Sequence, residues 1–370
     1  MIRLTSPDVA GSIDDIKTVL ESGFLVQGKN VERFESLVAG YVGRKYAVAV
    51  SSGTSAIHCA LLAAGVSEGD EVIVPDFTFP ATANAVVNAG AVPVLADIDP
   101  ATFNLDPGTV EARLSARTRA VMPVDLFGLA ADLDAIGALC KDRGIMLLED
   151  SACALGSEFG GRKCGSFGAA SAFSFHPRKL VTTGEGGMVL TDDDEIARKC
   201  RLLRNHGMER SARGVDFVLA GSNMRMNELE ACIGIGQMES LDGRIEKRRE
   251  VASLYKEILS GLDGVRCPVE PESHRHSYQA YVIMLEPRID RDALIDGMLS
   301  EGVETGIGTY AVHAQAFYGK RLGLEPGSLP NSYRAYNQSL ALPIYASMEE
   351  KAVHTVAAAL SKCVSTIKGT

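Results

Sequence analysis

The chemistry legible in this 370-residue chain rests on a lysine, an aspartate and two polar, glycine-containing turns. Lys179 lies within Ser171–Thr191, SAFSFHPRKLVTTGEGGMVLT. SAFSF reads as a buried strand. Pro177 ends its ladder, and Thr182, Thr183 and Gly184 are turn formers. Gly186-Gly187 then leads into a second apolar run. A lysine on a loop past a core strand is either a solvated charge or an amine able to form a Schiff base with an aldehyde. Ser174, at the end of the strand, can bind a phosphate near that lysine. His176 can stack, titrate or simply pack. Asp150 ends the apolar run IMLLED. A carboxylate there can hold a protonated ring nitrogen or a ribose hydroxyl, or cap the next segment. Ser51-Ser52-Gly53-Thr54-Ser55 joins a strand to a helix. Its glycine permits close backbone approach, and a helix start offers free N–H groups to an anion. Helix capping accounts for the same residues, and the spacings of a P-loop and of a Rossmann turn are both absent. Asn223 and Arg225, in GSNMRMN, enter a later helix with the same two readings.

A phosphate cradle, a carboxylate for a ring nitrogen and a lysine on a neighbouring loop together form the parts list for pyridoxal 5'-phosphate. Lysine would hold the aldehyde carbon. Asp150 would keep the pyridine nitrogen protonated, and the helix start, serine and asparagine would hold the phosphate.

Composition narrows the classes. A net charge of -10 argues against nucleic acid as a partner. The one dense basic run, RIEKRR at Arg244–Arg249, reads as a solvated helical face. Eight cysteines without a CxxC pair read as reduced thiols of a cytoplasmic protein. The N-terminus lacks an apolar signal region, and no apolar run approaches the roughly 20 residues of a membrane span. His274 and His276 have no nearby carboxylate or cysteine to complete a metal set, so no metal site is expected.

The elements that must position these residues alternate. Short β-rich runs occur at Tyr46–Val50, Glu71–Val74, Val92–Leu95, Arg119–Val124, Ile145–Glu149, Ser171–Phe175 and Met188–Thr191. Helical patterns occupy Thr54–Ala64, Pro80–Asn88, Pro107–Leu114 and Asp132–Asp142. Such alternation predicts an α/β fold with a mostly parallel seven-stranded sheet and a site at the strands' carboxyl ends. Two helical patterns precede it, around Ile13–Leu20 and Val31–Val38, joined by an irregular Ser22–Gly28. After an irregular 205–223 comes a helical region, Met226–Leu262, with a break near Asp242-Gly243 and a stripe of Leu241, Ile245, Leu254 and Ile258. A smaller C-terminal α/β unit follows, with a strand at Tyr278–Leu285, a helix at Arg291–Glu301, a short strand near Val303–Ile307 and a last helix from Met348 to Ile367. The expected division is 1–245, a large cofactor-binding domain with an N-terminal arm, and 246–370, a small domain.

Several longer stretches, in order, resemble the DegT/DnrJ/EryC1/StrS family of sugar aminotransferases: SGFLVQGKNVERFE, SSGTSAIHCAL, VPDFTFPATANAV, PVDLFG, EDSA, SFHPRK with GEGG, GSNMRMNELEA and SLALPIYASM. The resemblance implies fold type I of the pyridoxal phosphate enzymes and an obligate homodimer with shared sites. It makes Lys179 the catalytic Schiff-base lysine, Asp150 the partner of the pyridine nitrogen and Phe79 the aromatic stacked on the ring. Thr54, Ser55 and Ser174 become phosphate ligands, joined by Asn223 from the other subunit. The family usually has DAAQA where this chain has Asp150-Ser-Ala-Cys-Ala154, so Cys153 replaces a glutamine near the cofactor's 3-hydroxyl, and a thiol is a weaker hydrogen-bond partner. The implied reaction moves an amino group from an amino acid, glutamate by resemblance, to a keto sugar, nucleotide-linked, for a surface polysaccharide or related glycoconjugate. Alternatives are a free keto-ulosonic acid as acceptor or a sugar dehydratase, although dehydratases of the family carry histidine at the lysine's place. A turnover-free regulatory protein and an NAD enzyme, the latter resting only on Gly306-Ile-Gly308, fit the residues less well. Sugar contacts are expected from Ser22–Gly28, His206–Gly221 and Gly306–Tyr318, with Arg204, His313 and Tyr310 as either sugar contacts or surface residues.

Overall fold

The computed structural model describes residues 1–212 and 214–368. Helices α1 (Ile13–Ser22) and α2 (Lys29–Val42) precede β1 (Tyr46–Val50). Then come α3 (Gly53–Ala63), β2 (Glu71–Pro75), α4 (Ala81–Asn88), β3 (Val92–Ala96), β4 (Thr118–Val121) and α5 (Leu133–Arg143). β5 (Met146–Asp150), β6 (Ala170–Ser174) and β7 (Gly187–Thr191) complete one seven-stranded sheet, ordered β1-β7-β6-β5-β4-β2-β3. β7 runs against both neighbours and the other pairs are parallel. Every strand of this sheet was anticipated, because strands covered on both faces read as continuous apolar runs.

α6 (Asp194–Leu203), α7 (Glu228–Met238) and α8 (Leu241–Leu259) follow. β8 (Tyr281–Leu285), α9 (Arg291–Ser300), β9 (Ser339–Leu342) and α10 (Glu350–Lys368) lie in the C-terminal part. The long helix breaks at Glu239-Ser240, earlier than Asp242-Gly243, and Gly243 lies inside α8. A Cβ at Gly243 would meet nothing, so the glycine marks no packing constraint there. Residues Met208–Ser211 and Gly214–Phe217 form an exposed hairpin where an irregular stretch was expected. β9 was not anticipated: its four residues are too few for a periodic signal, yet it pairs with β8 at the centre of the smaller sheet. Along α8, Leu241 and Ile245 pack with Val31 and Phe34, whereas Val251, Tyr255 and Leu259 pack with Tyr281, Leu340 and Leu360.

Two close approaches shape the carboxyl end of the sheet. Gly187 pairs with Val50 on one side and Ser174 on the other. A Cβ on Gly187 would lie 2.2 Å from the Ser52 carbonyl oxygen. One on Gly53 would lie 2.7 Å from Ser174 Cβ. The β1–α3 turn therefore rests directly on β6 and β7.

Below this end, Asp125 and Glu149 are fully buried against each other. Asp125 accepts from Ala131 N at 3.1 Å and Ser151 Oγ at 2.9 Å, and Glu149 from Gly165 N at 2.6 Å and Phe167 N at 3.0 Å. Cys164 Sγ lies within 4.8 Å of both. All four carboxylate oxygens already accept a protein donor, so a proton between the two acids satisfies this cluster without a cation. Burial raises both acids' pKa, and the Glu149 charge pushes Asp125 further in the same direction.

Gly187→Ala should destabilise the fold by about 1–3 kcal/mol through overpacking against Ser52, read as a lower urea midpoint. For Asp125 the folded pKa lies above the unfolded value of about 3.9, so the folded state retains the proton longer and stability falls as pH rises through that range. The stability of the wild type relative to Asp125→Asn should therefore decline from pH 4 upward, measured by urea titration at each pH; an unchanged difference would rule out the shared proton.

Candidate active site

The turn after β1 is built from hydroxyls. Ser52 Oγ caps α3 by accepting from Ser55 N at 3.1 Å. Ser55 Oγ lies 3.1 Å from Ser51 Oγ and 2.9 Å from Ser52 Oγ. Capping is thus real here, but it satisfies one donor only. The N–H groups of Gly53 and Thr54 make no hydrogen bond among those described, so the N-terminal end of α3 keeps two free donors and its positive dipole. Ser174, at the end of β6, sits against this turn. Ser51 N donates to Met224 O at 2.8 Å, which ties the turn to the GSNMRMN segment. The Asn223 side chain itself is exposed.

Asp150 closes β5 and is fully buried. Thr82 Oγ1 donates to its Oδ2 at 2.8 Å and Ala152 N to its Oδ1 at 3.2 Å. Burial raises its pKa, and the hydrogen bonds and the Lys179 charge pull it back. One oxygen thus caps the following turn, as the capping reading expected. The other is held by Thr82, from the start of α4. That threonine was not singled out in the sequence, although it stands inside VPDFTFPATANAV. Phe79, two residues before α4, is 63% exposed, and its ring stands 6.2 Å from that of Tyr310.

Lys179 Nζ donates to Cys153 Sγ at 2.9 Å. It forms no ion pair with a carboxylate among the described residues. The loop carrying it folds back on β6: Thr183 N and Thr182 Oγ1 both donate to Phe175 O, at 2.9 Å each. Gln237, on α7, clamps Thr182, taking its N–H at 3.1 Å and giving Nε2 to its carbonyl at 2.6 Å. Gln279 Nε2 donates to Arg178 O at 2.9 Å. Neither glutamine carries a motif that sequence alone would reveal. His176 has a local job: its Nδ1 accepts from Arg178 N at 3.2 Å, and burial lowers its pKa.

Lys179, Cys153 and Asp150 therefore come together, with Ser174 and the Gly53–Ser55 turn at the next strand ends and Phe79 on the rim. Two anticipated sugar contacts are elsewhere. Arg204 is buried, its Nη1 bonded to Glu35 Oε1 at 2.5 Å and Ala49 O at 2.7 Å. His313 is buried with Nδ1 2.6 Å from Asp76 Oδ2. Both side chains are spent on packing loops to the sheet, a use that loop position alone did not reveal. Tyr310 remains partly exposed beside Phe79.

Known proteins share this architecture. A family model described as the DegT/DnrJ/EryC1/StrS aminotransferase family matches residues 8–361. The spore coat polysaccharide biosynthesis protein SpsC of Bacillus subtilis (strain 168) is 37% identical over 365 residues, covering 95% of this chain and 94% of that one. The GDP-perosamine synthase of Caulobacter vibrioides is 38% identical, covering 90% of each chain. The crystal structure of the aminotransferase TlmJ from Streptoalloteichus hindustanus superposes with a TM-score of 0.91 at 34% identity over 99% of both chains. The mostly parallel sheet is that of fold type I. By sequence across nearly its whole length and by fold, the chain belongs to the DegT/DnrJ/EryC1/StrS aminotransferase family.

Proposed function

We propose that this chain moves an amino group from an amino acid, L-glutamate by its resemblance, to a nucleotide-linked keto sugar, supplying an amino sugar for a surface polysaccharide or related glycoconjugate. The observation that carries the reading is Lys179: an amine without a carboxylate partner among the described residues, 2.9 Å from Cys153 and acting on the buried charge of Asp150. The relatives' names, in polysaccharide biosynthesis and perosamine synthesis, support the substrate class.

The donor set fits pyridoxal 5'-phosphate. Asp150 is a buried carboxylate with no arginine or lysine in hydrogen-bond contact among the described residues, which suits a protonated ring nitrogen. A Cβ at Gly53 would crowd Ser174, so glycine keeps open the approach to the free N–H groups of α3 that a phosphate needs. Phe79 offers an exposed ring, its carbonyl bonded by Thr82, which also holds Asp150. When bound, the cofactor supplies an aldehyde carbon that takes up nitrogen and a ring that draws electrons from the substrate carbon.

In this reading Lys179 would hold that aldehyde carbon between turnovers, and its Nζ, once freed, would accept the proton from the substrate carbon bearing nitrogen. Asp150 would keep the ring nitrogen protonated, with Thr82 holding its Oδ2 at 2.8 Å. Thr54, Ser55 and Ser174 hold the phosphate with the N–H groups of Gly53 and Thr54. Cys153 accepts from the Lys179 amine and, by the resemblance, would stand near the cofactor's 3-hydroxyl. Asn223 reaches the phosphate of a second copy. Exposed Phe24, Leu25, Val26 and Phe217 on one chain support a homodimer that covers them. Residues 1–245 and 246–370 are proposed as its two domains, since Ile245 packs in one core and Val251 in the other. No described helix is long and apolar enough to cross a membrane. Eight unpaired cysteines support a cytoplasmic location.

Purified protein with the cofactor should absorb visible light, lose that absorbance on addition of L-glutamate, and regain it with the right keto sugar from a panel with and without nucleotide. Colour that glutamate leaves unchanged would sink the reaction. Asp150→Asn should slow amine transfer by about 10²-fold or more, since it removes the charge opposite the ring nitrogen; a near wild-type rate would remove Asp150 from the site. Light scattering should give twice the chain mass, and a monomer that turns over would refute the shared site.

A further inference from the structure

A second feature borders Lys179. A cavity of about 210 Å³ is lined by Thr5–Asp8 of the N-terminal segment, by Arg178 and Lys179, by Arg244 and Arg248 of α8, and by Ser347 among others. Four cations face it against the single carboxylate of Asp8, in a chain whose net charge is -10. Asp8 is itself exposed; Arg244 Nη2 donates to its carbonyl at 3.2 Å and reaches its Oδ2 at 3.4 Å, and Arg244 Nε donates to Ser240 Oγ at 2.9 Å.

Arg248 sets this cleft apart from a solvated basic face. Three arginines are buried among the described residues, Arg44, Arg204 and Arg248. Arg44 pairs with Asp192 at 2.7 Å and Arg204 with Glu35 at 2.5 Å. Arg248, 6% exposed, has no carboxylate partner among the described residues. Its Nη1 donates to the carbonyls of Tyr278 and Gln279 at 3.0 Å each, and Arg248 is among the residues lining the cavity. Burial and the neighbouring Arg244 push its pKa down to about 10, still charged at neutral pH. A buried cation without a counter-ion is costly, and an anion in the cleft supplies one. The segment that holds Arg248 also holds Arg178, through Gln279 Nε2 on the Arg178 carbonyl at 2.9 Å. The two cations are thus set by one strut.

Size narrows the anion. Sites for drug-sized ligands begin at roughly 300 Å³, and a cleft of 210 Å³ suits an amino acid or oxo acid. Lys179, whose Nζ is 2.9 Å from Cys153, is among the lining residues, so the cleft lies against the loop that carries the proposed catalytic amine. We propose that the Arg178–Arg244–Arg248 cleft is the carboxylate site for the amino-acid donor and for the 2-oxo acid made from it, a reading that rests on the aminotransferase function proposed above.

The test is calorimetric titration of the holoenzyme with glutarate, an unreactive dicarboxylate, and separately with inorganic phosphate. Glutarate should bind, and Arg178→Gln and Arg244→Gln should each weaken it about fivefold or more, with the KM for L-glutamate rising by the same factors and the KM for the keto sugar unchanged. Arg248→Met should weaken it further; because Arg248 also ties Tyr278 and Gln279, the two rim variants carry the test if it misfolds. Glutarate affinity indifferent to both rim arginines overturns the site, as does phosphate binding more tightly than glutarate at the same arginines. Amine transfer that persists without arginine-dependent glutarate binding removes this site and leaves the function. Arginine-dependent glutarate binding without amine transfer does the reverse.

Discussion

The structure turns on the burial of the Asp150 carboxylate at the end of β5. A carboxylate taken from water costs several kcal/mol unless its oxygens are bonded and its charge is met. Here the oxygens are met by Thr82 and Ala152, and Lys179 is the one cation among the described residues that acts on the charge. Beneath it, Asp125 and Glu149 already fill their own lone pairs, and burial favours their protonated forms. That arrangement leaves Asp150 as the acid whose charge faces the lysine loop. In the proposed mechanism the same charge serves a ring nitrogen.

Close packing converts that electrostatic choice into a site. β7 can pass between β1 and β6 beside the β1–α3 turn only because residue 187 has no side chain, and the turn can rest on Ser174 only because residue 53 has none. The helix start of α3, the end of β6 and the lysine loop are then held at fixed positions. Gln237 and Gln279 fix the loop from the two sides, one from α7 and one from the segment before β8. The lysine is thus positioned by residues far from it in sequence.

Much of this was legible because it is local. The seven central strands announced themselves as apolar runs bounded by turn formers, and Asp150 and Lys179 stand just past two of them. The resemblance to the aminotransferase family rested on long ordered motifs, and the family match and fold agree with it. What stayed hidden is what only three dimensions supply. Thr82 reads as an ordinary helix residue until Asp150 is seen beside it. Arg204 and His313 looked available because they stand near loops, yet Glu35 and Asp76 meet them in the interior. RIEKRR read as a solvated face, but Arg248 at its fifth position is buried, as Ile245 is, while Glu246 and Lys247 stay exposed. β9 was lost because four residues carry no period.

The account stands or falls on which amine holds the cofactor. Reduction of the yellow holoenzyme with borohydride, followed by digestion and mass spectrometry, reads this directly. The account predicts a pyridoxyl group on the peptide containing Lys179, and no trapped adduct in Lys179→Ala. A pyridoxyl group on any other lysine of the wild type would contradict it.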